Sequence, residues 1–564
     1  MASISQSAAE RGVDLLFFPV TVLTGPLPVD LGEQDAFLDD LAETLAELSP
    51  RVSCNCLVPV VSMVGDYPYA EALLLSGGRV IPQRFGSWPL SPARIPLREG
   101  GHGEQGLARF EAAGSQIGLA FSYEDLDVWC ERPREVDVIC YLASFGFAVD
   151  DPSSALGSAL GEGRYVRDAQ DSGAWIVGVG PVGGYGTQVF SGSSFVLAPD
   201  GRLVSSAASF EEDLLVADVG NGVELGSGAE VQPELYDVRY HLWQALVLGI
   251  HDFVWKLGKR GVALALDGSL SSMLSAVLAT DALGPTNVHV LLASQGHPDR
   301  IAEVSRLARA LRLDAQPLSD LGTDDQLFVR DLVEVHLAAL ARMHDVVALS
   351  CRDKTSFALE SSALSVNGAL FAPLGDLYRI DVLDVARLRN TISQVLPSLE
   401  VTPSDIPDVG IDVPQWGCET LLERMDTVLS THVEGGRSLT ETAEAVGDAE
   451  VTTAVLGALR DCEAQRMSCP PCLMLTTRTL LDAHMPLGFA WRDHLRPEGT
   501  AHRRVNREMA FREETNRPSN AEAYGRRSIE DDILRDGEFQ EALELLRDLA
   551  LGSRDEWQNT FSEN

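Results

Sequence analysis

Residues 241 to 280 read HLWQALVLGI HDFVWKLGKR GVALALDGSL SSMLSAVLAT. Leu242, Ala245, Leu246, Leu248, Gly249, Phe253 and Val254 recur at helical spacing. The pattern runs through Lys256 to Arg260 into a short apolar run, Val262 to Leu266, which reads as a buried strand. A loop of small residues follows, Asp267-Gly268-Ser269-Leu270-Ser271-Ser272, and a second apolar helix begins at Met273. Strand, small-residue loop and helix start in that order make a phosphate cradle. Free backbone N–H groups and the positive helix end point at the same anion.

Working outward, the chain alternates strands and longer helices beyond residue 231. Val262 to Leu266, Asn287 to Leu292 and Val346 to Leu349 read as strands, and Ser271 to Ala282, Arg300 to Leu311 and Val329 to Met343 as helices. This is a doubly wound, Rossmann-like layout, with a ligand expected at the carboxyl ends of the strands. Residues 11 to 220 carry shorter apolar runs between turn signals, as an α/β layer protein does. Candidate strands there are Asp14 to Phe18, Cys56 to Val61, Ile117 to Phe121, Val136 to Tyr141, Trp175 to Val179 and Ser194 to Leu197, and Asp39 to Leu48 reads as an amphipathic helix. Arg496 to Asn520 is charged, with Pro497 and Pro518, and reads as a linker. Ile529 to Leu549 has apolar residues at helical spacing, for docking on the body or on a partner.

The chain has 564 residues and a formal net charge of -39, enough length for two or three cores. An acidic surface opposes nucleic acid and anionic membranes, because counterion release needs basic patches. No apolar run approaches the roughly 18 residues of a membrane span, and the N-terminus lacks a basic start, so the expectation is a cytoplasmic protein. Lys256, Lys259 and Lys354 are the only lysines. The nine cysteines follow no framework and read as reduced thiols; Cys469-Pro470-Pro471-Cys472 is a lone CxxC without the partners zinc or redox chemistry needs.

Three N-terminal segments carry a resemblance. They are Phe17-Phe18-Pro19-Val20-Thr21-Val22-Leu23-Thr24-Gly25 with Pro28 and Asp30-Leu31 after it; Gly118-Leu119-Ala120-Phe121-Ser122-Tyr123-Glu124-Asp125-Leu126; and Gly183-Gly184 with Val189 to Ser194 and Asp200-Gly201. In this order they resemble the nitrilase-like glutaminase half of the glutamine-dependent NAD synthetases. The 267–272 loop resembles that family's pyrophosphate loop, Ser-Gly-Gly-x-Asp-Ser. Cys351-Arg352-Asp353-Lys354-Thr355-Ser356 is similar to its Asn-Lys-Thr-Glu region. Ala372 to Arg379, with Val382 and Ala386-Arg387, is similar to the next motif, and Glu463 to Arg466, Pro470-Pro471 and Pro486 to a late one. The resemblance implies a nitrilase-like αββα sandwich over 1–228. A Rossmann-like doubly wound parallel sheet of the adenine nucleotide alpha hydrolase type would follow over 229–495, and then an extension over 496–564.

In that family a Cys nucleophile, a Glu base and a Lys release ammonia from glutamine. ATP then adenylates nicotinic acid adenine dinucleotide, and ammonia displaces AMP. Here Val20 stands where the Glu follows Phe-Pro, and Tyr123 stands where the Cys precedes Glu-Asp. Residues 1 to 255 contain no lysine, although the family's Lys falls near Arg84 to Ser87. A phenol and a valine supply neither thiolate nor base. Cys130 lies too far along the chain to take over, and Glu124 and Asp125 read as structural. The family's first strand has no counterpart ahead of the helix and strand near Ile4 and Asp14, so either the true start lies upstream or the sandwich is trimmed. Glutaminase activity is expected to be absent.

In the pyrophosphate loop Asp267 replaces the leading Ser, Ser269 the second Gly and Ser271 the Asp; Gly268 and Ser272 are kept. A carboxylate about 4 Å from phosphate oxygens costs roughly 4 kcal/mol at a surface-like dielectric, about a thousandfold in affinity. Serine for glycine can also block a positive-φ turn or a close phosphate approach. Alternatively, Asp267 could hold magnesium. Ser356 stands for a family Glu, Glu360-Ser361 for Gly-Tyr and Val366-Asn367 for Gly-Asp, and Gln326 to Val333 lacks the family's Gln-Ala-Arg-x-Arg. The candidate nucleotide-binding residues are Asp267, Gly268, Ser269, Ser271, Ser272, Lys354, Thr355 and Arg379, for ATP with magnesium as the resemblance implies, and Lys354 has a phosphate role or a surface or capping one. The expected function is a binding, regulatory or assembly subunit, as a homo-oligomer or beside an active family member. The alternative is an ATP-dependent, ammonia-using ligase.

Overall fold

The computed structural model describes residues 1–495 except 21, 26–33, 65–66, 85–108, 143–145, 152–155, 162, 225–230, 236, 294–297, 319–325, 361–367, 398, 415 and 489. The whole extension, 496–564, lies outside the described residues, as do Ser87, Ser361, Val366, Asn367, Thr21, Pro28, Asp30 and Leu31. Residues Met1–Leu495 form one compact unit.

The N-terminal half is two sheets with helices outside them. Helix Ala2–Glu10 leads into β1 (Leu15–Phe17), which pairs in parallel with β2 (Asn55–Val64). Antiparallel β3 (Tyr67–Ser76) and β4 (Arg79–Arg84) complete that sheet, in the order β1-β2-β3-β4. Helix Asp35–Leu48 precedes β2. The second sheet has the order β12-β11-β8-β7-β6-β5. Its strands are β5 (Arg109–Ala112), β6 (Ser115–Ala120), β7 (Val138–Tyr141), β8 (Trp175–Gly178), β11 (Phe195–Leu197) and β12 (Leu203–Ser206). A separate antiparallel pair, β9 (Val182–Tyr185) and β10 (Gln188–Ser191), stands between β8 and β11 in the chain.

Burial explains the layers. Val-Ile-Cys-Tyr of β7 is buried throughout, as a central parallel strand covered on both faces should be. Its residues alternate between two cores. Val138 and Cys140 pack with Val20, Leu57 and Leu119 between the sheets, and Ile139 and Tyr141 pack with Leu126, Trp129 and Tyr165 beneath the outer helices. A cavity of ≈ 700 Å³ opens beside β1, lined by Leu15 to Val20, Val177 to Val182 and Glu211 to Val219. Among the described residues, β1 is paired on one side only.

The C-terminal half is a parallel sheet in the order β15-β14-β13-β16, with β13 (Val262–Leu266), β14 (Val288–Leu292), β15 (Asp314–Pro317) and β16 (Val347–Ala348). Helices Val238–Lys256, Leu270–Leu283 and Arg379–Ile392 contribute to a core with Val262, Leu264 and Val290. Helix Gln326–His344 packs Leu337 and Leu340 on Ala263, Leu291 and Ala348, the residues that point the other way. The strand order reverses between β13 and β16, so their carboxyl ends flank the switch point where such sheets hold ligands.

The halves meet along helix Val238–Lys256. A Cβ at Gly184 would sit 3.3 Å from the Gly249 Cα, and a Cβ at Gly249 would sit 2.6 Å from Leu473 and 3.0 Å from Val189, so glycine at 184 lets its strand approach the helix backbone and glycine at 249 leaves room for those two side chains. Asp252 accepts the Gly184 N–H at 2.8 Å, and Lys256 donates to the Gly184 carbonyl and lies over the Tyr185 ring. This seam gives the Gly183-Gly184 pair a packing reason.

Candidate functional site

The loop after β13 is closed on itself. Gly268 takes the positive φ of the turn, at 89°. Ser269, at φ -70 and ψ 154, is the N-cap of helix Leu270–Leu283 and accepts the Ser272 N–H. The expected strain from serine at this position is therefore corrected: the left-handed residue is Gly268, and Ser269 has an extended backbone that any residue adopts. The Asp267 carboxylate is exposed and uses Oδ1 to accept the Ser269 N–H at 2.8 Å and its hydroxyl at 2.7 Å. An acid of the protein itself thus holds an N–H group of the kind a phosphate would take.

Ser271 and Ser272 are buried. The Ser271 hydroxyl donates to Asp353 Oδ2 at 2.5 Å, and Ser272 donates to the Ser269 carbonyl. This joins the β13 loop to the segment after β16, where Asp353 caps the short helix Lys354–Leu359 through the Ser356 N–H. Asp353 has no exposed surface, and Arg379 meets it with Nε at 3.0 Å and Nη2 at 3.3 Å. Burial pushes the Asp353 carboxyl up, but the Arg379 guanidinium and the hydrogen bonds from Arg379, Ser271 and Ser356 outweigh it and hold it below its ordinary value. Arg379 also reaches Glu360 at 2.8 Å, the Ser356 hydroxyl and the Asp405 carbonyl.

Lys354 is 0% exposed. Its ammonium contacts Asp376 at 2.8 Å, Glu434 at 2.6 Å, the Thr476 hydroxyl at 2.8 Å and the Arg478 carbonyl at 2.9 Å. Burial works against its charge, but Asp376 and Glu434 outweigh burial and raise its pKa above the ordinary lysine value. Burial overturns the surface role expected for Lys354, which in this structure is a buried ion-pair hub. Thr355 donates to Asp426 at 2.6 Å and accepts the Arg379 N–H. Burial raises Asp426 to about 7, against hydrogen bonds from Thr355 and Ile380 that lower it. Arg466, from the late motif, is also buried, paired with Glu463 and donating to the Ala358 carbonyl.

The structure therefore brings Ser271, Asp353, Thr355, Ser356 and Arg379 into one network, with Lys354 in an adjoining cluster beyond Tyr378. Asp267, Gly268 and Ser269 stay at its exposed edge. The sequence pattern does not single out Asp376, Asp426 or Glu434 as site residues. Asp376 lies inside a quoted motif, but Asp426 and Glu434 come from helix Cys418–Val433 and its C-cap, where no motif marked them. Among the described loop residues Asp267 is the one exposed carboxylate, with Oδ1 engaged in the loop cap, and Asp353 is buried against an arginine, so a magnesium ion here would have Asp267 as its one loop carboxylate and would take its other oxygens from phosphate and water.

In the N-terminal half Val20 is 2% exposed and packs between the sheets with Leu57 and Phe121. Tyr123 opens helix Tyr123–Cys130 and packs instead against the outer core. Its hydroxyl lies 2.9 Å from that of Tyr165 and accepts from Arg164, which also stacks over its ring. The two positions thus belong to different layers. Asp125 accepts the Phe121 N–H at 2.9 Å, a structural cap as expected. The Cys130 thiol is pushed up to about 12 by burial and by Asp168, Asp127, Asp171 and Glu131, so it supplies no thiolate at neutral pH. Burial likewise lifts Cys469 to about 11 and Cys472 to about 12, against a redox pair. Arg84 ends β4; Phe85 to Ser87 lie outside the described residues.

The carbon-nitrogen hydrolase family matches residues 1–224. A glutamine-dependent NAD(+) synthetase of Rhodobacter capsulatus is 28% identical over 546 residues, covering 86% of this chain and 94% of the relative. One from Synechocystis is 26% identical over 86% of this chain and 93% of the relative. The chain is a divergent homologue of the glutamine-dependent NAD(+) synthetases. Solved structures of such synthetases agree on the fold. That of Acinetobacter baumannii, in complex with adenosine diphosphate, has a TM-score of 0.59 at 20% identity and covers 86% of this chain and 94% of its own. That of Cytophaga hutchinsonii has a TM-score of 0.60 at 11% identity, covering 85% and 92%. The αββα sandwich and the doubly wound sheet of this synthetase homologue are therefore those of its relatives. No helix among the described residues is long and apolar enough to cross a membrane.

Proposed function

We propose that this NAD(+) synthetase homologue has given up glutamine hydrolysis and efficient amide formation and acts as a binding, regulatory or assembly subunit. The observation that carries the reading is the closure of the nucleotide loop. Asp267 holds its N–H group, and the nearby cations Arg379 and Lys354 are committed to Asp353, Glu360, Asp376 and Glu434. A triphosphate would have to displace a carboxylate and open buried ion pairs, whose breaking is costly. Val20 and Tyr123 support the same reading for the sandwich, since neither side chain is a thiolate or a carboxylate base. The site is read as Asp267, Gly268, Ser269, Ser271, Ser272, Lys354, Thr355 and Arg379, keeping its shape for a nucleotide bound weakly or not at all. The protein is proposed to work in the cytoplasm as a homo-oligomer or beside an active family member.

The test is incubation of the purified chain with ATP, magnesium, ammonia and nicotinic acid adenine dinucleotide, and separately with glutamine. Neither pyrophosphate nor ammonia above background is expected. Pyrophosphate at a catalytic rate would establish the second reading, an ammonia-using ligase. That reading draws on Asp267, which is exposed and uses only Oδ1 in the loop cap. Ammonia from glutamine would overturn the loss of glutaminase chemistry.

A further inference from the structure

At the opposite end of the nucleotide sheet, three side chains converge. His289 is the second residue of β14, and Asp314, its register partner, is the first of β15. His344 is the last residue of helix Gln326–His344. That helix stops where Asp345 turns to φ 54, with Val346 N–H returning to the Ala341 carbonyl at 3.0 Å. One donor atom from each of the three lies within 4.8 Å of the others. His289 Nδ1 is 3.4 Å from Asp314 Oδ2, and the two imidazoles stack with centroids 3.8 Å apart.

One atom is out of place in a purely structural cluster. His344 Nε2 is buried and has no hydrogen-bond partner. Leaving such an atom unsatisfied costs about 1–3 kcal/mol. A ring nitrogen of His344 lies within 4.8 Å of an imidazole nitrogen of His289 and a carboxylate oxygen of Asp314, which is the donor set of a metal site.

We propose that His289, Asp314 and His344 form a binding site for one divalent transition-metal ion of the zinc type. Two imidazoles and one carboxylate suit a borderline-soft ion rather than calcium or magnesium, which prefer all-oxygen shells. Three protein ligands at about 2.0–2.2 Å leave the remaining coordination to water. Tetrahedral ligation needs donors spaced about 3.3 Å apart, so binding an ion draws the three donors together by side-chain rotation and takes the two imidazoles out of their stack. Asp314 is 61% exposed and His289 stands on a strand, so the carboxylate has room to move. The ion would clip β14, β15 and the end of the helix that feeds β16. His289 is in register with Ala263, four residues before Asp267. The site therefore lies about 13 Å along the strands from the nucleotide loop, at about 3.3 Å per residue, and is independent of the proposed function.

The experiment strips the full chain with chelator and titrates it with cobalt(II), read by its visible absorption, and with zinc(II), read by calorimetry. One ion per chain is expected, with zinc displacing cobalt. His289→Ala with His344→Ala should weaken zinc more than the roughly 10–100-fold lost when only an outer-shell partner goes. Cys469→Ser with Cys472→Ser should leave the stoichiometry at one. Asp314→Ala alters an exposed side chain, so it reports even if the histidine variant does not fold. It should weaken zinc at least about tenfold without changing the melting temperature of the metal-free chain. Zinc uptake unchanged by Asp314→Ala, uptake lost with the cysteines, or no cobalt absorption from the native chain would overturn the proposal.

Discussion

In the sandwich, the positions that would carry a base and a nucleophile are a valine sealed between two sheets and a tyrosine held by Tyr165 and Arg164 under the outer helices. In the nucleotide half the charged residues persist. Asp353, Lys354 and Arg379 are all present, yet each points its charge at another residue of the chain. Under the proposed function, one half has exchanged polar chemistry for packing, and the other has kept polar chemistry and turned it inward. The difference follows from cost. A lone reactive group can be replaced by an apolar or aromatic one of suitable shape, because its cavity accepts the new volume. A buried network cannot lose one member cheaply, because the remaining charge would be left unpaired. Substitutions at the two sites should therefore report different physics.

The largest effect is expected at Lys354. Lys354→Ala leaves Asp376 and Glu434 facing each other without their cation, and breaking such a pair costs about 3–5 kcal/mol. Denaturant unfolding should show that loss, or the variant should accumulate unfolded. If Lys354→Ala is as stable as the parent and only weakens nucleotide binding, the lysine serves a phosphate and the contrast between the halves fails.

Next is the pH dependence of the same network. Burial raises Asp426 from its ordinary 3.8 to about 7. An acid whose folded pKa lies above its unfolded value keeps its proton longer in the native chain. Between about pH 4 and pH 7 the folded state binds the extra proton, so this group's contribution to stability falls as pH rises, then levels off. One proton sets the slope at no more than about 1.4 kcal/mol per pH unit. Asp381, raised to about 6 by burial and then by Asp384, adds in the same direction. Urea unfolding between pH 5 and pH 8 should show a shallower descent in Asp426→Asn than in the parent. An unchanged descent would place the titrating group elsewhere.

How much of this was legible in the chain differs by element. The apolar run Val262 to Leu266 marks its strand to the residue, because a parallel strand covered on both faces is a continuous apolar run between breakers. The helices after it were placed within a few residues. β3 and β4 were missed: Tyr-Pro-Tyr-Ala-Glu and Arg-Val-Ile-Pro-Gln carry prolines and charges that blur the alternation, and their long antiparallel register with β2 supplies the order instead. β15 was missed because Asp-Ala-Gln-Pro is half polar, as a sheet-edge strand can be. At the site, departures from the resembled motifs are visible in the sequence one residue at a time. The closure is not, because Asp376, Asp426 and Glu434 meet Lys354 and Thr355 across 22 to 80 residues of chain.

Asp267 offers a smaller effect of opposite sign. Asp267→Asn keeps an oxygen to accept the Ser269 N–H and removes the charge that a phosphate would meet. Calorimetry with adenosine diphosphate should show binding tightened about tenfold or more, a gain of about 1.4 kcal/mol per decade. If the variant instead loses binding that the parent shows only with magnesium, Asp267 holds the ion and the ligase reading takes over.

The smallest effect is expected at Tyr123. Tyr123→Phe removes the hydroxyl shared with Tyr165 and Arg164 while keeping the ring stacked on Tyr165, with centroids 6.1 Å apart, and under Arg164. A hydrogen bond of this kind contributes about 0.5–1.5 kcal/mol, so the unfolding midpoint should fall slightly. Ammonia release from glutamine should stay at background before and after the change. The two readouts separate the roles: a hydroxyl that only packs alters stability alone, whereas one that does chemistry would take activity with it. A parent chain that hydrolyses glutamine and a Tyr123→Phe variant that does not would return the sandwich to the active side of the comparison.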